Sequence, residues 1–268
     1  MNCFSISYLF ERIKVVQSVF VSKNNKNFNE NEIKLVRRIN EVVNSKTYIN
    51  SNINDLLWFW ANGLNKCEKI IDFGCGSGYI TYLLSSMNRS VIGYEYVGKW
   101  VGQDVSIKEY KNVLDYFHNL LKKRKSLDFK YYNSLPLNIK NESVNGVVMY
   151  AVLEHFDKDI LDSTLKEIKR ILKKDGFLFI GKLPRKYSYQ EWLARFFGLK
   201  SHKNLFTKKM IFNLFEKYGI KVQKIESIGL FFNHPNKITN FLYPITKIEK
   251  YLRFLPVVHD YRLILKNS

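Results

Sequence analysis

The feature that most constrains the fold of this 268-residue chain is an apolar run that breaks into a glycine-alternating turn and resumes as an apolar helix. Residues 69–73 have the composition of a buried strand in an α/β sheet, and Gly74, Gly76 and Gly78 follow at once. Glycine allows a tight turn, lets the backbone approach a ligand, and lets the next helix pack close to the sheet. The run therefore predicts a nucleotide-binding loop between a strand and a helix.

The glycine spacing and two acids narrow the class of nucleotide. Dinucleotide-binding loops follow G-x-G-x-x-G, whereas the third glycine here, Gly78, comes one residue earlier. Asp72 precedes the first glycine by two residues, where its charge would repel a pyrophosphate but attract a cationic group. Glu95 ends the apolar segment 90–95, where an acid can accept hydrogen bonds from both ribose hydroxyls. The pattern favours a nucleoside that carries an amino acid, with Tyr96 beside its base.

The acidic-x-Gly-x-Gly-x-Gly motif at 72–78 resembles that of the class I methyltransferases that use S-adenosylmethionine (SAM). The resemblance extends over about residues 60–230 and is to methyltransferase type 11-like members, including some associated with polysaccharide biosynthesis. It implies SAM as cofactor. In this family an aspartate after the third strand accepts from the adenine amino group; Asn133 stands there, and its amide oxygen can also accept. The cofactor site that the motifs and the resemblance together imply comprises Asp72, Gly74, Cys75, Gly76, Gly78, Glu95, Tyr96, Asn133, Ser134 and Tyr150.

The order of the hydrophobic segments predicts an α/β fold in which strands and helices alternate along a doubly wound sheet. Predicted strands cover 69–73, 90–95, 127–132, 144–150 and 177–183, and predicted helices cover 78–87, 106–124 and the segment from Asp157 to a turn at 173–176. Segments 220–227 and 260–266 are also predicted strands. The resemblance implies that they pair as a terminal antiparallel hairpin, which completes a seven-stranded Rossmann-like sheet, mostly parallel with an antiparallel last strand.

The domain organisation follows from the same pattern. We expect an N-terminal helical extension over 1–60 and a class I methyltransferase domain over 61–268. Within that domain, a lid insertion at about 184–206 combines cations, phenols and an amphipathic helix suited to covering an acceptor. A basic amphipathic segment at about 236–256 is expected either to pack as a lid or to contact an anionic bilayer peripherally.

Methyl transfer from a sulfonium is an in-line displacement that depends on alignment, so no metal site is predicted. A hydroxyl acceptor must also lose its proton, and His155 and His202 are the candidate bases, with Glu154 beside the first. Glu154 and His155 can equally have a structural role, and His202 can be a surface histidine; His118, His234 and His259 show no comparable context. Cys75 fits the turn as a small residue rather than as a nucleophile.

These residues predict O-methylation of a small-molecule, glycan or lipid-linked acceptor. The Asn/Asp-Pro-Pro-aromatic turn of amino-group methyltransferases is missing after residue 149, and no cysteine adjoins a proline as in cytosine-C5 enzymes. Two alternatives stay open: an RNA methyltransferase outside the Asn-Pro-Pro-aromatic group, and a non-catalytic partner subunit that binds SAM.

The net charge of +19 is compatible with a polyanionic partner, but lysine far outnumbers arginine, a profile expected from AT-rich coding. A nucleic-acid partner is therefore not favoured. The three cysteines form no Cys-x-x-Cys pair, so neither a disulfide framework nor a zinc site of that type is indicated. With no apolar run of membrane-spanning length and no targeting segment, we expect a cytoplasmic protein, with the membrane contact through 236–256 as an open possibility.

Overall fold

Seven strands form one mixed sheet in the computed structural model, which describes residues 6–21, 28–87, 90–98, 105–122, 126–196, 198, 202–229 and 259–268. The strands are β1 (Lys69–Phe73), β2 (Ser90–Tyr96), β3 (Leu127–Tyr132), β4 (Val144–Tyr150), β5 (Leu172–Pro184), β6 (Ile220–Ile228) and β7 (Asp260–Asn267). Their order across the sheet is β3-β2-β1-β4-β5-β7-β6. β7 pairs antiparallel with both β5 and β6, and the pairs among β1 to β5 are parallel. The predicted sheet is thereby confirmed.

Eight α-helices are present in the described residues, and they divide between the two faces of the sheet. They are α1 (Ile6–Val21), α2 (Glu30–Asn44), α3 (Lys46–Ala61), α4 (Tyr79–Ser86), α5 (Ile107–Leu121), α6 (Lys158–Ile171), α7 (Tyr189–Phe196) and α8 (Lys208–Glu216). Alternate strand residues point to opposite faces, so Ile70 packs in a core with α1 to α5, and Ile71 packs in a core with α6 and α8.

Of the N-terminal helices, α3 packs directly on the sheet, and α1 and α2 pack on α4 and α5. Asn29 begins α2 with a capping box, because its side chain accepts from the Glu32 backbone N–H and the Glu32 carboxylate accepts from the Asn29 N–H. In α3, the ring of Phe59 lies 5.4 Å from that of Phe179 in β5. This packing brings the first turns of α3 to the carboxyl-terminal edge of the sheet, where the loops after the strands meet.

The boundary between α6 and β5 differs from the prediction. The helix ends at Ile171, and Leu172 already pairs with Val144, before the predicted turn at 173–176. The register shifts after this pair and resumes with Phe177 opposite Gly146, while Asp175 has a φ of 65°. The predicted turn thus exists, but it interrupts a strand that has already begun rather than ending the helix, because the backbone of Leu172 is drawn into the ladder.

Some of the sequence predictions fall outside the described residues. These are the amphipathic segment 236–256 and the last two positions, 123 and 124, of the helix predicted over 106–124. Among the helices that the structure does describe, not one combines the length and the apolar character needed to cross a bilayer.

Candidate active site

A cavity of about 520 Å³ opens at the carboxyl-terminal ends of β1 to β4. Most of the predicted cofactor residues line it, and so does one of the predicted catalytic residues. Three predicted residues are not part of the lining: Gly78, Glu154 and His202. Those in the lining are Asp72, Gly74, Cys75, Gly76, Glu95, Tyr96, Asn133, Ser134, Tyr150 and His155.

The glycine loop forms one wall of the cavity. Gly74, Gly76 and Gly78 have φ values of 77°, 50° and 83°, which L-residues rarely adopt. A Cβ on Gly74 would lie 2.6 Å from Val152, and one on Gly78 would lie 2.5 Å from the Phe129 ring. A Cβ on Gly76 would meet no protein atom within 4 Å. The outer glycines therefore permit close packing, whereas the central one leaves bare backbone facing the space that a ligand would fill.

His118, on α5, packs against the glycine loop. Its Nε2 lies 2.8 Å from the Gly76 carbonyl oxygen, and its ring stacks at 3.9 Å on Phe129. Burial lowers the pKa of His118 to about 4, so the ring is neutral at pH 7. Because a carbonyl oxygen can only accept, the Nε2 atom carries the proton. The sequence analysis missed this role; the available signal was that His118 falls on the apolar face of α5 with Leu114 and Leu121.

Two acids are buried beside the loop. Asp72 is 1% exposed, and its Oδ2 accepts a 2.7 Å hydrogen bond from Thr81. Glu95 accepts from the Gly76 N–H at 2.7 Å and from the Tyr110 hydroxyl at 2.9 Å. Burial raises the pKa of both carboxyl groups to about 7, and the hydrogen bonds offset this only in part. Their ionised forms would be stabilised by a cationic or hydroxyl-bearing ligand.

Cys75 lies between these acids and is buried. Burial, with the negative charges of Glu95 and Asp72, raises the pKa of its thiol well above the ordinary value. A thiol held in its protonated form is a poor nucleophile. The geometry agrees with the interpretation of Cys75 as a small residue that fits the turn.

Aromatic side chains form much of the remaining wall. The rings of Tyr96 and Tyr132 lie 5.5 Å apart, at the ends of β2 and β3. The Tyr150 hydroxyl at the end of β4 lies 2.7 Å from Asp55 Oδ2 in α3. Tyr48, from the first turn of α3, also lines the cavity. A flat or apolar ligand group would find complementary surface here.

The candidate bases occupy different positions relative to the cavity. His155 lines it, and its Nε2 is 3.7 Å from Glu154 Oε1. Burial, with the charge of His202, lowers the pKa of His155 to about 4. Glu154 is buried, its Oε2 has no hydrogen-bond partner among the described residues, and burial raises its pKa to about 8. A neutral imidazole and a largely protonated carboxyl group therefore adjoin each other at neutral pH.

His202 belongs to a separate cluster behind His155. The two imidazole rings lie 6.1 Å apart, and His202 Nδ1 is 2.5 Å from Glu191 Oε1. Burial opposes protonation of His202, but the hydrogen bond and charge of Glu191 outweigh it and raise the pKa. Asn204, two residues further on, donates to the carbonyl oxygen of Phe156. The insertion that contains His202 is thus fastened to the loop after β4.

Comparison with known proteins adds an independent finding. A family model described as "Methyltransferase domain" matches residues 44–225. The chain is 25% identical over 212 residues to the bovine mitochondrial ubiquinone biosynthesis O-methyltransferase, which covers 73% of this chain and 54% of that protein. It is 24% identical over 185 residues to the ubiquinone biosynthesis O-methyltransferase of Pelagibacter ubique, with 64% of this chain and 70% of that protein covered.

A solved structure carries the same fold. The SAM-dependent methyltransferase from Archaeoglobus fulgidus superposes with a TM-score of 0.51 at 20% identity, covering 80% of this chain and 92% of that one. The chain spans only about half the length of the bovine relative. The structural similarity supports the arrangement of the sheet and its helices. The family match identifies methyl transfer as the chemistry of this domain.

Proposed function

The chain belongs to the methyltransferase-domain family, and we propose that it transfers a methyl group from SAM to a hydroxyl oxygen of a small-molecule, glycan or lipid-linked acceptor. The observation that carries the proposal is that one cavity is lined by two groups of residues. The first group is bare glycine backbone with two buried acids, and the second is His155 with several aromatic rings. A donor and an acceptor bound in this cavity would be neighbours.

The glycine loop and the two buried acids fit SAM. Gly76 presents backbone with open space beyond it, as a close ligand requires. Asp72 offers a carboxylate for a cationic amino-acid group, and Glu95 offers acceptor oxygens for ribose hydroxyls. Ligand contacts of this kind would offset the burial that raises the pKa of both acids. When bound there, SAM supplies a methyl carbon that is already activated by a sulfonium.

His155 is the residue best placed to take the acceptor proton. It lines the cavity, and its ring is neutral at pH 7. A pKa of about 4 makes this ring a weaker base than free imidazole, so the proton moves to it only as the methyl group is transferred. Glu154 adjoins it, with Oε1 3.7 Å from the His155 Nε2 atom. The remaining task of the site is to align the acceptor oxygen with the methyl carbon and to exclude water.

Oxygen as the accepting atom has support from the names of the two curated relatives, both O-methyltransferases of ubiquinone biosynthesis. The tyrosine-rich wall suits a ring, whether phenolic or a sugar. No lysine or arginine is found among the described residues that line the cavity. An acceptor whose reacting portion is uncharged fits this wall better than one that presents a phosphate beside the methyl donor.

The test combines methyl-labelled SAM with fractionated cell extract that includes a membrane-lipid fraction. We expect label in a glycan, small-molecule or lipid pool, and none in protein-free RNA. His155→Gln should lower kcat about 100-fold or more while calorimetry finds unchanged SAM affinity. Unchanged turnover in His155→Gln would remove His155 as the base, and SAM binding with no label in any fraction would favour a non-catalytic SAM-binding subunit.

A further inference from the structure

A second cluster of chemically capable side chains lies behind the cavity. Glu191 comes from α7, His202 from the loop after it, and His259 from the residue before β7. Each offers one ligand atom, and these atoms all lie within 4.8 Å of one another. Because the three residues belong to separate segments, tertiary folding alone brings them together.

The cluster is largely shielded from water. Glu191 and His259 are 4% and 7% exposed, and His202 is half-buried. Both Glu191 oxygens face His202, one on its ring at 2.5 Å and the other on its backbone N–H at 3.2 Å. Without a metal ion, Glu191 and His202 share a proton across the shorter contact, and an ion that binds both side chains would release this proton to solvent.

His259 is oriented as a metal-binding histidine is. Its Nδ1 lies 2.7 Å from Ser188 Oγ, which accepts from the backbone N–H groups of Gln190 and Glu191. In the tautomer in which Nδ1 donates to Ser188, Nε2 is the nitrogen that can bind a metal ion, and it lies 3.6 Å from Asp260 Oδ1. Metal-bound histidines typically have the second nitrogen engaged in this way, which sets the tautomer and the direction of the ring.

Glu154 extends the polar surroundings toward the cavity. Its Oε2 is buried with no hydrogen-bond partner among the described residues, and its charge interacts with that of His202. An unpartnered buried carboxylate oxygen beside two imidazoles is costly unless a proton or a cation neutralises it. Because the pKa of Glu154 is raised to about 8, that proton is present at neutral pH, and Glu154 is not one of the proposed ligands.

We propose that Glu191, His202 and His259 bind a divalent transition-metal ion, with Zn²⁺ as the reference metal. Two imidazoles and one carboxylate are the donors that Zn²⁺ and its neighbours in the first transition row accept. Three protein ligands also leave at least one coordination position open. Mg²⁺ and Ca²⁺ favour sites made of oxygen ligands and are not expected here.

The proposed site would tie three segments together independently of methyl transfer. It joins the insertion 184–206 to the beginning of β7, and its His202 ring lies 6.1 Å from that of His155 in the cavity wall. A bound ion would therefore fix the insertion against the wall on which the acceptor is proposed to bind. The inference does not depend on the identity of the acceptor.

The experiment uses untagged full-length protein, stripped with chelator and titrated with ZnCl₂ in a calorimeter. We expect one equivalent of Zn²⁺ to bind and to raise the thermal midpoint of unfolding. MgCl₂ should neither bind nor change that midpoint. Glu191→Gln, His202→Gln and His259→Gln should each weaken Zn²⁺ binding at least tenfold, and Ser188→Ala about 10-fold to 100-fold. Co²⁺ should give the visible absorption bands of a low-coordinate site and lose them in the same variants.

His155→Gln is the matched control, because it removes the neighbouring imidazole and should leave Zn²⁺ affinity unchanged. Far-ultraviolet circular dichroism without metal establishes that each variant is folded. If a ligand variant fails to fold, the wild-type titration and Co²⁺ spectrum still decide the matter. No Zn²⁺ binding by the wild type, or equal loss in His155→Gln and His202→Gln, would overturn the proposal.

Discussion

Burial of the Asp72 carboxyl group destabilises the fold when the group is ionised, but it places a carboxylate beside the ligand cavity. The pKa of its carboxyl group rises from 3.8 to about 7 because of burial, offset in part by the Thr81 hydroxyl. Between these two pH values the folded protein binds more protons than the unfolded chain, so the contribution of Asp72 to stability falls as pH rises through the window. Above pH 7 the full penalty is present, and below pH 4 it is absent.

We therefore expect Asp72→Asn to stabilise the fold at pH 8, by up to roughly 4 kcal/mol, and to have little effect near pH 4. The amide oxygen can still accept from Thr81, so the hydrogen bond persists. Urea unfolding at both pH values measures the change, and calorimetry should show that SAM binding is lost. Asp162→Asn is the control: ion pairs lower the pKa of Asp162, so it should give no gain at pH 8. A less stable Asp72→Asn protein at pH 8 would contradict the argument.

Gly76 and Gly78 differ in what surrounds them and so predict different consequences of adding one methyl group. Gly78→Ala places a Cβ 2.5 Å from Phe129 at a φ of 83°, and we expect a loss of about 2–4 kcal/mol in unfolding free energy. Gly76→Ala incurs only the left-handed strain, about 1–2 kcal/mol, but fills the space beside the loop. Urea unfolding and SAM calorimetry separate the two effects. Equal stability losses in both variants would refute the assigned packing role of Gly78.

At the scale of elements, α3 is joined to the sheet by a buried polar network. Arg262 of β7 lies 3.2 Å from Asp55 in α3 and 2.6 Å from Glu226 in β6, and its guanidinium is 4.4 Å from the Trp58 ring centre. Asp55 also contacts the Tyr150 hydroxyl at the cavity. One side chain in α3 thus fixes the helix against the sheet and the orientation of a cavity residue.

Removal of that side chain should be costly. Asp55→Ala leaves Arg262 buried with Glu226 and the Asn54 carbonyl oxygen as its hydrogen-bond acceptors, and we expect a loss of about 3 kcal/mol in urea unfolding. Glu30→Ala is the control, because Glu30 pairs with Lys34 on an exposed helix surface, and it should have no measurable effect. Asp55→Ala should also weaken ligand binding at the cavity through Tyr150. A stability equal to that of wild type would show that Glu226 and the Asn54 carbonyl oxygen are sufficient partners for the arginine.

Across the whole molecule, local patterns were sufficient for the first five strands and for most of the predicted cofactor residues that line one cavity, and the pairing of the last two strands came from the family resemblance. The glycine spacing and the two strand-end acids lie within about 25 residues of each other, so their geometry follows from one strand–helix–strand unit. His118, Asp55 and His259 could not be found this way. Each of them contacts a partner that is distant in sequence, so only the packed fold brings the two together. The contacts join His118 to Gly76, Asp55 to Arg262, and His259 to Ser188.

The net charge of +19 is a property of the whole surface, and its effect on RNA binding can be measured. Acids line the cavity at Asp72, Glu95 and Asp157, so the positive charge of the described residues does not converge on the proposed methyl donor. We expect a 20-nucleotide RNA to bind more weakly than about 1 µM at 150 mM salt, and affinity to fall steeply as salt rises from 50 mM. Fluorescence anisotropy with and without SAM tests this, and SAM should not alter the affinity. Submicromolar binding at 150 mM salt that SAM strengthens, with label transferred to the RNA, would instead establish RNA as the acceptor, because phosphates would then be drawn to the cavity despite its acidic lining.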